Sequence, residues 1–156
     1  MEKLKVLDRP IEPHEIEWRI QSSRNGKTTI VPYITNRCVM DRFDEQFGWN
    51  GWESFFKETS TGYLCELRVT YDGNMIVKSD GATKTKIEPD KGGISDAMKR
   101  AAVQFGLGRS LYKYPLTQIE GETKYISHDI KSRLGKMVEA INSGKFTKDY
   151  VILKNK

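Results

Sequence analysis

Apolar and polar positions change rhythm several times along the chain, and each change marks an element. In YLCELRVTY, residues 63–71, Cys65, Leu67, Val69 and Tyr71 fall on one face while Glu66, Arg68 and Thr70 fall on the other, the period-two pattern of a half-buried strand. Asp72-Gly73-Asn74 reads as a hairpin turn, after which MIVKSDGATKTKI returns as a strand. With WESFFKETS ahead of them, these segments predict a meander of at least three antiparallel strands. Lys78, Lys84 and Lys86 share one parity on the returning strand, provided that no bulge at Gly81 shifts the register.

Helical spacing appears elsewhere. Val39, Met40, Phe43 and Phe47 predict a helix over 36–47, with Thr35 or Asn36 as its cap and Gly48 as its stop. Residues 94–107 carry a stripe rich in small residues, Ile94, Ala97, Met98, Ala101, Ala102 and Phe105, which suits close packing on a sheet. The opposite face holds Asp96, Lys99, Arg100 and Gln104, but also Val103 and Leu107, and these two apolar residues point to contact with another subunit. Ile130, Leu134, Met137, Val138 and Ile141 predict a helix over 128–144. Residues 14–23, HEIEWRIQSS, read as a short helix with Ile16 and Ile20 on one face. Arg24-Asn25-Gly26-Lys27 then turns the chain into the β-branched run TTIVPYI. The helical signal fades through LTQIEGETKYI, and KFTKDYVILKNK reads as a short appended piece. The chain has neither internal repeats nor low-complexity segments.

Length and composition narrow the class. A chain of 156 residues with 37% hydrophobic and 30% charged residues suits one folding unit with a tail, and no apolar run approaches the roughly 20 residues of a membrane span. MEKLKVLDRP lacks the apolar core of a secretory signal, and Cys38 and Cys65 form neither a disulfide framework nor a zinc ligand set, so a reducing, cytosol-like compartment is expected. The net charge of +5 is uneven: residues 1–60 hold 9 Lys/Arg against 10 Asp/Glu, and the remainder 17 against 11. That surplus in the second part suggests a polyanionic partner.

Catalytic constellations are sparse. Neither GGISDAMKR nor GLGRSLYKY supplies the Gly-Lys-Ser/Thr of a phosphate-binding loop. His14 and His128 lie far apart and read as surface or capping residues, while Cys38 and Cys65 read as small core residues. Asp72, Asp80, Glu88 and Asp90, assisted by Lys84 or Lys91, are the residues on which metal-dependent phosphodiester cleavage would have to rest, but their spacing does not match the commonest nuclease core.

Binding of a single strand needs cations along a groove and planar side chains that order the bases, and the chain clusters both. FGWNGWESFF, residues 47–56, sets two Trp and three Phe around two glycines; Trp52 and Phe55 are expected in the core and Trp49 exposed. Lys91, Lys99, Arg100 and Arg109 gather around the segment GGISDAMKRAAVQFGLGR, where Gly92-Gly93 places backbone amides at an expected helix N-terminus, a position that favours anions.

YITNRCVMDRFDEQFGWNGWESFF followed by DGATKTKIEPDKGGISDAMKRAAVQFGLGRSLY resembles the single-strand annealing domain of the Rad fifty-two recombination proteins, most closely its bacteriophage Sak branch, over residues 10–115. The resemblance implies an α+β fold in which an antiparallel β-meander packs against a long helix, a β-β-β-α core that assembles into a ring or arc. It further implies single-stranded DNA held by its backbone in an outer basic groove, bases outward, with no ATP, metal or other cofactor. Position by position, Lys99 and Arg100 match a Lys-Arg pair at the groove floor, Lys91 a lysine one helix face earlier, and Arg37 lies at or one residue from a groove arginine. Trp49 stands where the family commonly has Tyr. Val103 replaces a further arginine of eukaryotic relatives, with Arg109 as the residue to compensate, and the partnerships of those relatives' long C-terminal region are not expected to carry over.

The resulting expectation is an annealing and oligomerisation core over 1–115 with a helical extension over 116–156. The expected activity is ATP-independent, non-enzymatic annealing of complementary DNA strands in phage-type recombination or break repair, inside a bacterial host cytoplasm. Arg37, Lys91, Lys99, Arg100 and Arg109 are expected on phosphates, Trp49 on the strand, Lys84 and Lys86 on a second basic strip, and Val103 and Leu107 at a homo-oligomer interface. A phage exonuclease and a host single-strand-binding protein are the candidate further partners. The rival readings are a small metal-dependent nuclease using Asp80, Glu88 and Asp90, and a coating protein that binds single strands without pairing them.

Overall fold

The computed structural model describes residues 4–155. In chain order the elements are α1 (Lys5–Asp8), β1 (Ile16–Arg24), β2 (Lys27–Ile34), α2 (Asn36–Phe47), β3 (Trp52–Glu58), β4 (Gly62–Tyr71), β5 (Asn74–Thr83), α3 (Pro89–Val103), β6 (Leu116–Glu120), α4 (His128–Asn142) and β7 (Tyr150–Leu153). The class is α+β. The chain forms two compact units: Thr35–Arg109 together with the N-terminal residues through Arg9, and Pro10–Ile34 together with the residues from Ser110 onward.

The first unit is built on the meander β3-β4-β5, antiparallel throughout. The β4–β5 register runs without interruption from Gly62↔Thr83 to Tyr71↔Asn74, so Gly81, opposite Leu64, carries no bulge. The turn between them is built from left-handed Asp72 (φ 49°) and Gly73 (φ 73°), as a tight hairpin requires. Cys65, Leu67 and Val69 are buried on the face where α3 lies across β4 and β5, and Ala97, Ala101 and Ala102 are wholly buried in return. Side chains this small let a helix backbone come close to a sheet.

Two glycines extend that close approach to the start of α3. A Cβ at Gly92 would stand 2.1 Å from Thr85 Oγ1, and one at Gly93 would stand 2.9 Å from Cδ2 of Tyr63. Both lie inside the helix and not at its open end; the Gly92 amide already donates to Glu88 O at 2.9 Å. Their expected role as free anion-binding amides is therefore corrected to one of packing.

Helix α2, capped by the Thr35 hydroxyl, which accepts from Cys38 N at 3.1 Å, completes this core through Phe43. The Phe43 ring lies 5.4 Å from Phe47, 5.4 Å from Trp52 and 5.6 Å from Phe105, the last two edge-on. Buried Arg42 donates to Val6 O at 2.7 Å and Arg9 O at 3.3 Å, tying α1 to α2. Phe55, expected in the core, is 44% exposed on the other face of the sheet, where the Arg68 guanidinium lies 4.1 Å from its ring centroid.

The second unit is a four-stranded sheet in the order β1-β2-β6-β7, with β6 and β7 parallel and the other pairs antiparallel. Residues 16–24 are a strand where the sequence predicted a helix. Ile16 and Ile20 satisfy both periods, but Trp18 between them lies on the same face, and the turn at Asn25 (φ 55°) and Gly26 (φ 71°) folds β1 onto β2. Residues 116–156, expected as a helical extension, supply two strands as well as α4. Ile130, Leu134 and Met137 of α4 pack with Ile30 of β2 and Ile119 of β6, flanked by Trp18, Ile141, Val151 and Leu153. Among the described residues no helix is long and apolar enough to cross a membrane.

The Gly92 contact generates a test. Alanine at a helix position is favoured over glycine by about 1 kcal/mol, but overpacking costs about 1–3 kcal/mol, so Gly92→Ala is expected to be destabilising on balance. Adding Thr85→Ala removes the two nearest obstructing atoms, Oγ1 and Cγ2, but leaves Cβ at 2.9 Å and gives up the Thr85 hydroxyl's bond to Ile87 O, so it should return stability only part of the way toward wild type, as read from urea unfolding midpoints.

Candidate nucleic-acid interface

The cations singled out from sequence gather chiefly on α3 and on the segment that leads into it from β5. Arg100, with 55% of its side chain exposed, donates through Nε to Asp80 Oδ1 on β5 at 3.3 Å. Lys99 is only 18% exposed and pairs with Asp96 at 3.1 Å, so the adjacent pair divides into one outward and one largely covered cation. Lys91, 79% exposed, stands 3.5 Å from Glu88 one helical turn back. Lys86 is exposed between β5 and α3.

Lys84 lies just past the end of β5, its ammonium 2.7 Å from Glu58 and 3.3 Å from Asp90. The Tyr63 hydroxyl donates to Asp90 at 2.7 Å, and the Lys84 ammonium stands 5.6 Å from the Tyr63 ring. Glu58, followed by Asp90, raises the Lys84 pKa; the Tyr63 hydrogen bond, followed by Lys84, holds the Asp90 carboxyl below its usual range; and Asp90 raises the Tyr63 phenol. The group fastens the segment entering α3 to β3 and β4.

Arg109 and Lys78 occupy the other end of α3. Arg109 Nη2 donates to Val103 O at 2.9 Å and Gln104 O at 3.2 Å, while Lys78 Nζ donates to Gln104 O at 2.8 Å. Both reach carbonyls at the helix end, Gln104 O from the two cations and Val103 O from Arg109 in addition to the Gly106 amide at 3.0 Å, and both place positive charge where the helix dipole favours it. Arg37, in the first turn of α2, and Trp49, two residues past its last, stand at opposite ends of this 12-residue helix, which is about 18 Å long at 1.5 Å per residue. Arg37 is exposed, and Trp49, on the turn after Gly48, is 82% exposed, as its position between glycines led us to expect.

Asp80, Glu88 and Asp90 are engaged with Arg100, Lys91 and the Tyr63–Lys84 pair, and among the described residues no three His, Cys, Asp or Glu side chains group to hold a metal ion. Cys38 and Cys65 are buried thiols that are not joined in a disulfide, and burial pushes the Cys65 thiol up to about 12.

Residues 2–129 match the family described as Rad52/22 family double-strand break repair protein. The chain belongs to this family. It is similar to the single-stranded DNA-binding protein DdrA of Deinococcus radiodurans, 32% identical over 116 residues that cover 71% of this chain and 55% of DdrA. It is also similar to DdrA of Deinococcus deserti, 31% identical over 116 residues that cover 71% of this chain and 57% of that protein. The chain thus spans little more than half the length of these curated relatives.

Within this Rad52/22-family chain, Val103 is half-buried, but Leu107 is fully buried and so presents no surface outward. Sequence reasoning missed the carboxylates that accompany each α3 cation. Asp96–Lys99 and Glu88–Lys91 were legible as neighbours three apart on one helix; Asp80–Arg100 and Glu58–Lys84 join separate elements and carry no local signal.

Two outcomes follow from this geometry. Arg109→Ala should lower stability by about 1 kcal/mol through loss of the carbonyl contacts, a fall in Tm of about 2–4 °C in a scanning measurement. For the Lys84 group, the depressed Asp90 pKa contributes stability above the ordinary aspartate value, lost as pH falls through the depressed one; the raised Lys84 pKa contributes below the ordinary lysine value, lost as pH rises through the raised one. Tyr63→Phe removes the leading cause at Asp90, and NMR titration of its carboxyl should show the pKa moving back up toward the ordinary aspartate value.

Proposed function

We propose that the chain binds single-stranded DNA and anneals complementary strands without ATP, in recombination or break repair of the bacteriophage and bacterial kind. The observation that carries this reading is the set of cations on α3 and its entry, with Arg100 and Lys91 well exposed, in a unit that also holds an indole at Trp49 that is 82% exposed. Phosphates take the cations as charge-assisted, sequence-independent contacts, and Trp49 offers a stacking plane that every base can use. Membership of a family of double-strand break repair proteins and similarity to proteins named for single-stranded DNA binding support the same assignment. Arg37 extends the phosphate row along α2, Lys84 and Lys86 form a second strip that receives the other strand, and Arg109 acts through the helix end it holds. The working form is a homo-oligomeric ring or arc, with Val103 at the subunit contact, and a phage exonuclease or a host single-strand-binding protein as further partners.

The test mixes two complementary fluorescent oligonucleotides with the protein, without nucleotide or metal, and follows pairing. Wild type is expected to accelerate pairing and to leave strands intact when Mg²⁺ is added. Lys91→Ala with Arg100→Ala, assembled as wild type by light scattering, should lower the magnitude of the slope of log affinity against log salt by about 1.4, two contacts at about 0.7 each. Binding without faster pairing would reduce the protein to a coating module, and cleavage in Mg²⁺ would restore the nuclease reading.

A further inference from the structure

The cations of the α3 seam come with their own counter-charges. Lys84, Lys91, Lys99 and Arg100 stand within ion-pair distance of Glu58 and Asp90, Glu88, Asp96 and Asp80 respectively, four cations against five carboxylates. A chain with a net charge of +5 therefore holds its strongest candidate phosphate contacts in a locally neutral setting. A bare basic groove would grip a strand hardest; this one meets each phosphate with a cation whose field is already opposed.

Asp80 differs from the others in how it is held. Its Oδ1 accepts the Gly81 amide at 2.7 Å as well as Arg100 Nε at 3.3 Å, so it is fixed to the edge strand β5 and does not move with α3. Its partner Arg100 has 55% of its side chain exposed, and a guanidinium has five N–H donors, so a phosphate can engage the remaining donors while Asp80 stays in place.

Resting on the reading of the seam as the phosphate site, we propose that Asp80 limits the affinity of Arg100 for a single-stranded DNA backbone and so keeps the bound strand exchangeable. The ligand is a polyanion whose phosphates compete with a resident carboxylate. A strand held through opposed cations can shift register and leave once paired; a strand held by unopposed cations cannot do so as fast. Exposed ion pairs contribute about 0.2–1 kcal/mol, which converts to a change in affinity of up to about fivefold.

Asp80→Asn keeps an oxygen to accept the Gly81 amide and removes only the charge. The full chain carrying this change, alone and with Arg100→Gln, is titrated with a fluorescent oligothymidine across salt concentrations, and pairing of complementary strands is timed at saturating protein. The expected result is about two- to fivefold tighter binding, a steeper salt slope and slower pairing for Asp80→Asn, with the gain in affinity lost in the Arg100→Gln background. Asp96→Asn, which removes the charge paired with Lys99, is expected to change affinity in the same direction. Unchanged or weaker binding by Asp80→Asn, with wild type binding normally, overturns the inference. An equal gain with and without Arg100 also overturns it, because the effect would then be general charge. Failure of wild type to bind the strand overturns the reading of the seam itself and the inference with it.

Discussion

The seating of α3 on the meander is the contact on which the first unit and its cations depend. It requires that nothing project from Gly92 toward Thr85 or from Gly93 toward Tyr63, and that Ala97, Ala101 and Ala102 fill the space farther along. With those positions small, the helix comes near enough for Arg100 to reach Asp80 and for Gln104 O to reach Lys78 on the neighbouring strand. Moving the helix outward by a methyl group would part these pairs before it exposed the core. The glycines and the charges therefore belong to one arrangement, in which close packing sets where the cations stand.

How much of this was legible in the sequence depended on whether the signal was local. The alternation in β4 and the apolar stripes of α3 and α4 each recorded burial on one face, and the structure buries Cys65, Leu67, Val69, Ala97, Ala101, Ile130 and Leu134. Trp49 was legible because two glycines isolate it from any regular element. The strand at Ile16–Arg24 was misread because apolar residues four apart fit a helix and a strand alike, and the deciding fact was pairing with the next segment. The short strands Leu116–Glu120 and Tyr150–Leu153 are stabilised by partners remote in sequence, which no window of a few residues contains.

The candidate site shows the same division. Residue type announced the cations, and Glu88 and Asp96 lie three residues from the lysines they oppose, but Glu58 of β3 and Asp80 of β5 are brought alongside Lys84 and Arg100 only by folding. Arg109 was legible as a cation, but its contacts to the Val103 and Gln104 carbonyls were not. Gly92 and Gly93 looked like a flexible anion cradle because glycine allows that role as readily as it allows close contact. The contact was fixed by Thr85 and Tyr63, which neighbouring residues in the sequence do not reveal.

The sheet of the second unit joins segments that are far apart in synthesis. Lys27 pairs with Glu120, and Leu153 with Ile119, so the β1–β2 hairpin emerges with Trp18, Ile20 and Ile30 uncovered and waits for about ninety residues before β6 arrives. At roughly 5–20 residues per second that wait lasts about 5–20 s, long compared with the milliseconds in which a compact meander and helix can form. The first unit, contiguous from Thr35 to Arg109 apart from its N-terminal residues, can therefore be complete while the hairpin is still open. The nested order of the chain makes nascent aggregation through that hairpin the vulnerable moment in the life of a molecule whose first unit is already built.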